Sequence, residues 1–228
     1  MMNLLREYFD RKHLEKEELP YGTYPVVTFS REYGCPSKFI AQELVEELNK
    51  RHQAPSGAHW KFISKEIIEM AAKEMQLKTV DIKYLLSSGN KGLFEDILTS
   101  FSPVYVSNAK LKRTLNKVIT GLARPGYVVM LGRGSVAILQ NFPNSLHVRL
   151  QAPIDWRINE ISQIKKITKE QAIKVVEETD ERRLALIQLF FGRNYDANIF
   201  DLILNCHRLS RHEIVEIILM TMQIRKMI

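Results

Sequence analysis

The chain has 228 residues, 45% of them apolar, and a formal charge of +7. That length and apolar content suit one large α/β domain, or one domain with a mobile subdomain, and argue against a disordered chain. No apolar run approaches the roughly 20 residues of a membrane span, so no membrane partner is expected. The charged stretch Met1–Glu18 lacks the apolar region of a signal peptide, and the two cysteines, Cys35 and Cys206, have no metal-ligand spacing. No disulfide framework is expected, and the setting is read as reducing and cytoplasmic. Excess positive charge favours polyanions in general. No recognised nucleic-acid motif accompanies it, so nucleic acid is disfavoured as a partner.

Residues 1–24 read as a helical extension, with Leu4, Leu5, Tyr8 and Phe9 on one side, broken by Pro20 and Gly22. Its apolar face needs cover, from the sheet edge or from a second subunit in a homo-oligomer. Residues 25–228 read as a single domain. Pro25–Ser30 is a short, β-branched apolar run of the kind found in buried parallel strands. The loop Arg31–Pro36 follows, and Ser37 is expected to cap a helix with Ile40, Ala41, Leu44, Val45 and Leu48 on its inner face. Trp60–Ile63 reads as a second strand, and Ser64 as the cap of a helix to about Glu74. Thr79–Leu86 and Phe94–Thr120 read as helical, the latter split near Pro103.

Gly126–Leu131 is a further apolar strand, ending in Gly132-Arg133-Gly134, and Ser135–Leu139 starts a short helix. Ser145–Leu150 is the next strand. Asp155–Lys165 is helical, and Thr168 with Gln171 has capping-box spacing for a helix to about Phe191. Phe200–Asn205 is the last strand, and Ser210 with Glu213 opens a C-terminal helix. Strands separated by helices predict right-handed crossovers: an α/β fold with a mainly parallel sheet of about five strands flanked by helices.

Ligands of such sheets bind beyond the carboxyl ends of the strands. The loop Arg31–Lys38 leaves the first strand and enters a helix N-terminus, where unpaired N–H groups and the helix dipole favour an anion. Against the phosphate-loop pattern G-x-x-x-x-G-K-[ST], Arg31 and Pro36 stand at the glycine positions, Ser37 at the lysine and Lys38 at the hydroxyl. An ordinary strand-to-helix turn is the alternative. Arg149 and Arg157 read as surface or salt-bridged side chains, and Arg182 and Arg183 have Glu177, Glu178, Asp180 and Glu181 near enough for pairing within the helix.

Phe29-Ser-Arg-Glu-Tyr-Gly34 before a helix resembles the opening of the cytidylate-kinase-like family, a divergent branch of the P-loop nucleoside monophosphate kinases. That family's loop reads S-R-E-Y-G-S-G-G-R. In order along the chain, Phe62-Ile-Ser-Lys-Glu-Ile-Ile-Glu69 resembles its F-Y-D-K-E-L-I segment and Gly132-Arg-Gly134 its G-R-G. Thr179-Asp-Glu-Arg-Arg183 resembles its arginine-bearing lid helix, and Phe200–Asn205 its Y-D-L-x-I-N strand. The resemblance spans nearly all of residues 25–225. It implies a three-layer P-loop kinase-like fold with a helical lid at about 155–198, and transfer of the ATP γ-phosphoryl group, with Mg2+, to a nucleoside monophosphate, typically CMP. By matching position, Gly34, Ser37 and Lys38 line the phosphate loop with Arg31 nearby. Arg133 meets the monophosphate, and Lys38, Arg182 and Arg183 serve the transferring phosphoryl group.

Some positions depart from the family pattern. Gly-Ser-Gly-Gly-Arg has become Gly34-Cys-Pro-Ser-Lys38, and Pro36 removes an N–H donor. The Asp of F-Y-D-K is Ser64, and the flanking carboxylates of the cytidylate kinases' D-G-R-D are Leu131 and Gly134. These changes keep open a second reading, a weak or inactive relative that still binds a nucleotide or another anion.

Overall fold

The computed structural model describes residues 23–52, 57–64, 108–192 and 196–228. The helices expected at 1–18, 64–74 and 79–86, and the first piece of 94–120, lie wholly or mostly outside them.

The first strand, β1 (Val26–Arg31), leads into α1 (Ser37–Arg51) and then β2 (Lys61–Ile63). Next come α2 (Asn108–Ala123), β3 (Val128–Leu131), the single turn α3 (Ser135–Ile138) and β4 (Ser145–Gln151). Two helices, α4 (Ile154–Lys165) and α5 (Lys169–Phe191), precede β5 (Leu202–Asn205), and α6 (Arg211–Ile224) closes the chain. The five strands form one sheet in the order β2-β3-β1-β4-β5, with every pairing parallel. The expected α/β fold, a parallel sheet between helical layers, is therefore the one observed. The chain reverses its direction of travel across the sheet at β1, which pairs with both β3 and β4. The loops after β1 and β3 thus part beside each other and leave a crevice at the strands' carboxyl ends.

Alternation along β1 divides the core, because successive side chains of a strand face opposite ways. Val27 and Phe29 join Leu146 and Val148 under Ile40 and Leu44 of α1 and Ile214 and Ile218 of α6. Val26 faces the other layer, with Val128, Met130, Leu115 and Ile119. Both expected capping boxes are present, Thr168 with Gln171 and Ser210 with Glu213. Ser37 differs from expectation. Pro36 holds the cap position of α1, no side chain caps it, and Ser37 is the buried first helical residue. A proline has no N–H to satisfy and its φ is already near-helical, so it suits a helix entry. Among the described residues no helix is long and apolar enough to cross a membrane.

One polar group is sealed into the sheet. Thr28 Oγ1 lies 2.7 Å from His147 Nδ1, and Ser145 Oγ lies 3.0 Å from Nε2. Since the Ser145 hydroxyl donates to Phe142 O, it accepts from Nε2–H, and Nδ1 accepts from Thr28. The imidazole is thus held neutral, and burial lowers its pKa from the ordinary 6.5, with Asp201 opposing and Arg225 reinforcing the shift. A depressed histidine pKa means that the unfolded chain binds the proton more readily. Its stability contribution is therefore complete above pH 6.5 and is lost as the pH falls below it. Urea midpoints recorded against pH should decline on that acid side, and His147→Gln should flatten the decline; an unchanged slope would contradict the assignment.

Candidate phosphate-binding site

At the carboxyl end of β1 the side chain of Arg31 lies across Gly132, where a Cβ would overlap its Nη1 atom. The turn after β3 makes this approach feasible. Gly132, Arg133 and Gly134 all have positive φ, of 75°, 58° and 72°. Glycine takes such angles freely, whereas Arg133 is held there at a cost of about 1 kcal/mol. Arg183 reaches over from α5, donates to Arg31 O at 3.2 Å and lies 5.2 Å above the Tyr33 ring. Three arginines thereby converge: Arg31, Arg133 and Arg183 line one small recess with Ser30 and Ser135. Burial first, then Arg183 and Arg133, pull the pKa of Arg31 from 12.5 to about 9, with Asp180 opposing. Burial also lowers that of Arg183, Asp180 again opposing. Among the described residues Arg31 makes no ion pair. Planar guanidinium forks match phosphate oxygens, and a negative charge among such a cluster would relieve its repulsion.

A cleft of about 390 Å³ opens beside this cluster. Arg31, Arg149 and Arg183 supply its cationic wall, and Ile154, Val176, Leu184 and Ile187 an apolar one. Helix α5 forms most of the roof, with Glu177, Asp180 and Glu181 also on its margin.

Arg157 holds the cleft together from below. Only 7% exposed, it donates to Ala152 O at 3.0 Å, Tyr33 O at 3.1 Å and Asp180 Oδ2 at 2.6 Å, and its Nε lies 3.3 Å from Glu32 Oε2. Glu32 also accepts from Ala152 N and pairs with Arg149. Asp180 accepts from Tyr33 N at 2.7 Å and lies 3.7 Å from Arg183. Gly34, at φ 100°, is pressed so close that a Cβ there would stand 2.9 Å from Arg157 Cβ.

These bonds change the expected character of the loop. Four of its N–H groups are engaged by the protein itself: Glu32 with Leu150 O, Tyr33 with Asp180, Cys35 with Glu32 O and Ser37 with Cys35 O. Pro36 has none to offer. The loop therefore presents fewer amides than a glycine-rich cradle, and the charge beside it is carried by arginine side chains.

The residues singled out in the sequence separate accordingly. Arg31, Arg133 and Arg183 are brought together. Gly34 and Ser37 serve the loop's packing. Lys38 is exposed on the first turn of α1 and lines neither recess. Arg182 turns back on its own helix, Nε donating to Glu178 O and Nη2 to Thr179 Oγ1. Arg157 is salt-bridged as expected, yet buried and central to the site. Its importance was not legible because Tyr33, Glu32 and Asp180 are distant in sequence; the spacing Asp180-x-x-Arg183 was the one local hint. For a divalent cation, the carboxylates nearest the cluster, Glu32 and Asp180, are already paired with arginine, and no group of three metal-ligating side chains occurs among the described residues. Among the described residues no donor set for a resident Mg2+ is formed.

A parallel sheet between helical layers, with an arginine-lined cleft beyond its carboxyl end, defines an α/β protein with its candidate site at the switch point. The chain belongs to the cytidylate kinase-like family, whose model matches residues 26–208. Among solved structures it is similar to an uncharacterized protein from Eubacterium ventriosum, at 15% identity and a TM-score of 0.60, covering 88% of this chain and 99% of that one. It also aligns with shikimate kinase from Bacteroides thetaiotaomicron, at 12% identity and a TM-score of 0.46, covering 89% and 98%. A third alignment is with TT1252 from Thermus thermophilus, at 14% identity and a TM-score of 0.44, covering 89% and 98%. The comparison with curated proteins gives no match.

The two neighbouring lid arginines should behave differently. Arg183→Ala should weaken pyrophosphate binding about tenfold, a loss of about 1.4 kcal/mol, whereas Arg182→Ala should leave it within twofold. Calorimetric titration of both variants checks this, and equal losses would remove the assignment. Arg157→Met, which strands Glu32 and Asp180, should cost ~2 kcal/mol in urea unfolding even without ligand.

Proposed function

We propose that this protein is a nucleoside monophosphate phosphotransferase that takes the γ-phosphoryl group of ATP, with CMP the favoured acceptor. The observation that carries this reading is the convergence of Arg31, Arg133 and Arg183 at the switch point of a cytidylate-kinase-like sheet. Phosphoryl transfer asks little covalent chemistry of a protein; it asks for alignment and for compensation of charge on the transferring oxygens. Arg31 and Arg183 supply that charge, and Arg133, fixed by its strained turn, is directed to the acceptor phosphate. Ile154, Val176, Leu184 and Ile187 give the cleft an apolar wall. Mg2+ arrives on the ATP phosphates as part of the substrate.

A second reading is favoured by the engaged loop amides and by the exposure of Lys38: a relative that binds nucleotide in the arginine cleft without appreciable turnover. One experiment separates the two. Purified full-length protein is incubated with ATP, Mg2+ and each nucleoside monophosphate while ADP is measured, and nucleotide binding is titrated in parallel. ADP formation dependent on CMP is the expected result. Binding without turnover for any acceptor would replace the first reading by the second, and absence of binding would overturn both.

A further inference from the structure

Buried polar side chains are nearly always hydrogen-bonded, so an orphaned one marks either strain or a place where a ligand binds. Among the described residues three buried side-chain oxygens make no hydrogen bond within the fold: Glu47 Oε2, Glu216 Oε1 and Ser135 Oγ. The two carboxylate oxygens are ion-paired with Arg51. The Ser135 hydroxyl has neither kind of partner. Thr28 and Ser145, buried hydroxyls of β1 and β4, show the ordinary arrangement, each bonded to His147. Ser135 is only 1% exposed and follows the glycine-flanked turn after β3, its N–H donating to Gly132 O at 3.1 Å. Serine hydroxyls in such positions commonly turn back to a nearby carbonyl; that of Ser135 does not.

Ser135 lines the recess that Arg31, Arg133 and Arg183 enclose. The recess measures about 40 Å³, against about 390 Å³ for the adjoining cleft, and Ser30, Arg31, Arg183 and Ile187 border both. It suits a compact group, and the cleft suits the larger body attached to that group. We infer that Ser135 is a further phosphate-binding residue: its buried hydroxyl donates to an oxygen of the phosphate group that the three arginines hold in this recess. The inference rests on the phosphate-binding reading of the arginine cluster and adds a donor of a different kind. Guanidinium groups bring charge, whereas the hydroxyl is neutral and makes a short bond to an ionised oxygen. Within the fold alone the hydroxyl is a liability, because it left water on burial and gained no partner. A phosphate oxygen supplies that partner, so the penalty of burial is recovered as affinity. Ser135 stands two residues from Arg133 on one turn, while Arg31 comes from β1 and Arg183 from α5. A single phosphate group held by all four therefore ties that turn to the strand and to the helix.

Calorimetric titration of the full-length protein with pyrophosphate, at low and at high salt, tests this. Ser135→Ala should weaken binding about tenfold, the loss of one hydrogen bond to a charged oxygen. Since the hydroxyl is neutral, that factor should be the same at both ionic strengths, whereas the loss in Arg183→Ala should shrink as salt screens its charge. Urea unfolding without ligand separates binding from a structural role: the midpoint of Ser135→Ala should equal or exceed that of the wild type, because an unsatisfied hydroxyl has been removed. Binding within twofold of wild type, as for a hydroxyl that meets only solvent, would overturn the inference, and so would a midpoint that falls together with the affinity. In either case a loss of affinity in Arg183→Ala leaves the arginine site standing. Absence of pyrophosphate binding by the wild-type protein would overturn both. Turnover plays no part in the readout, so a protein that binds without catalysing still decides the matter.

Discussion

A single buried guanidinium organises the working end of this molecule. Arg157 leaves α4 and meets three separate segments: the carbonyl of Ala152 after β4, the loop after β1 through Glu32 and Tyr33, and the lid helix α5 through Asp180. A buried cation is tolerable when its donors are matched by carboxylates and carbonyls, and removing either side leaves the other stranded. The three segments are therefore mutually dependent, and α5 is tied to the site because Asp180 completes the shell of an arginine belonging to another helix. The same carboxylate occupies the Tyr33 amide, so the tie that holds α5 also withdraws a donor from the loop.

The site that results differs in kind from a glycine-rich phosphate cradle. There, backbone amides provide most of the anion affinity at fixed geometry. Here four of the loop's amides are engaged by the fold, and the positive charge resides on Arg31, Arg133 and Arg183. Burial, and then the neighbouring Arg183 and Arg133, lower the pKa of Arg31; a phosphate group placed among them would offset both. Gly132 and the left-handed Arg133 make the cluster sterically feasible, because a side chain at 132 would take the space that Arg31 fills.

Much of the architecture was readable along the chain. The β-branched run before Arg31, the capping boxes at Thr168 and Ser210, and the glycines after Leu131 each report a local preference, and the observed elements begin or end within a few residues of them. Ser37 was misassigned because capping chemistry favours serine, while the proline beside it, needing no donor partner, took the cap position. Within the site, Arg31 and Arg133 stand at strand ends in the sequence, but their phosphate roles came only from the resemblance of the motifs around them. Arg182 and Arg183 were not separable in this way. They are adjacent in sequence, yet successive helical residues point about 100° apart, and one turns to its own helix while the other reaches β1.

The order of strands and helices, the parallel sheet and the position of the binding loop follow from periodicity, caps and turn residues, which act over a few neighbouring positions. Which arginine is buried, which carboxylates are already paired and which loop amides are engaged are products of packing. They depend on segments far apart in the chain being laid side by side at the carboxyl edge of the sheet. Hydrogen bonding and charge there are decided by what arrives across that edge, and local sequence carries no record of it.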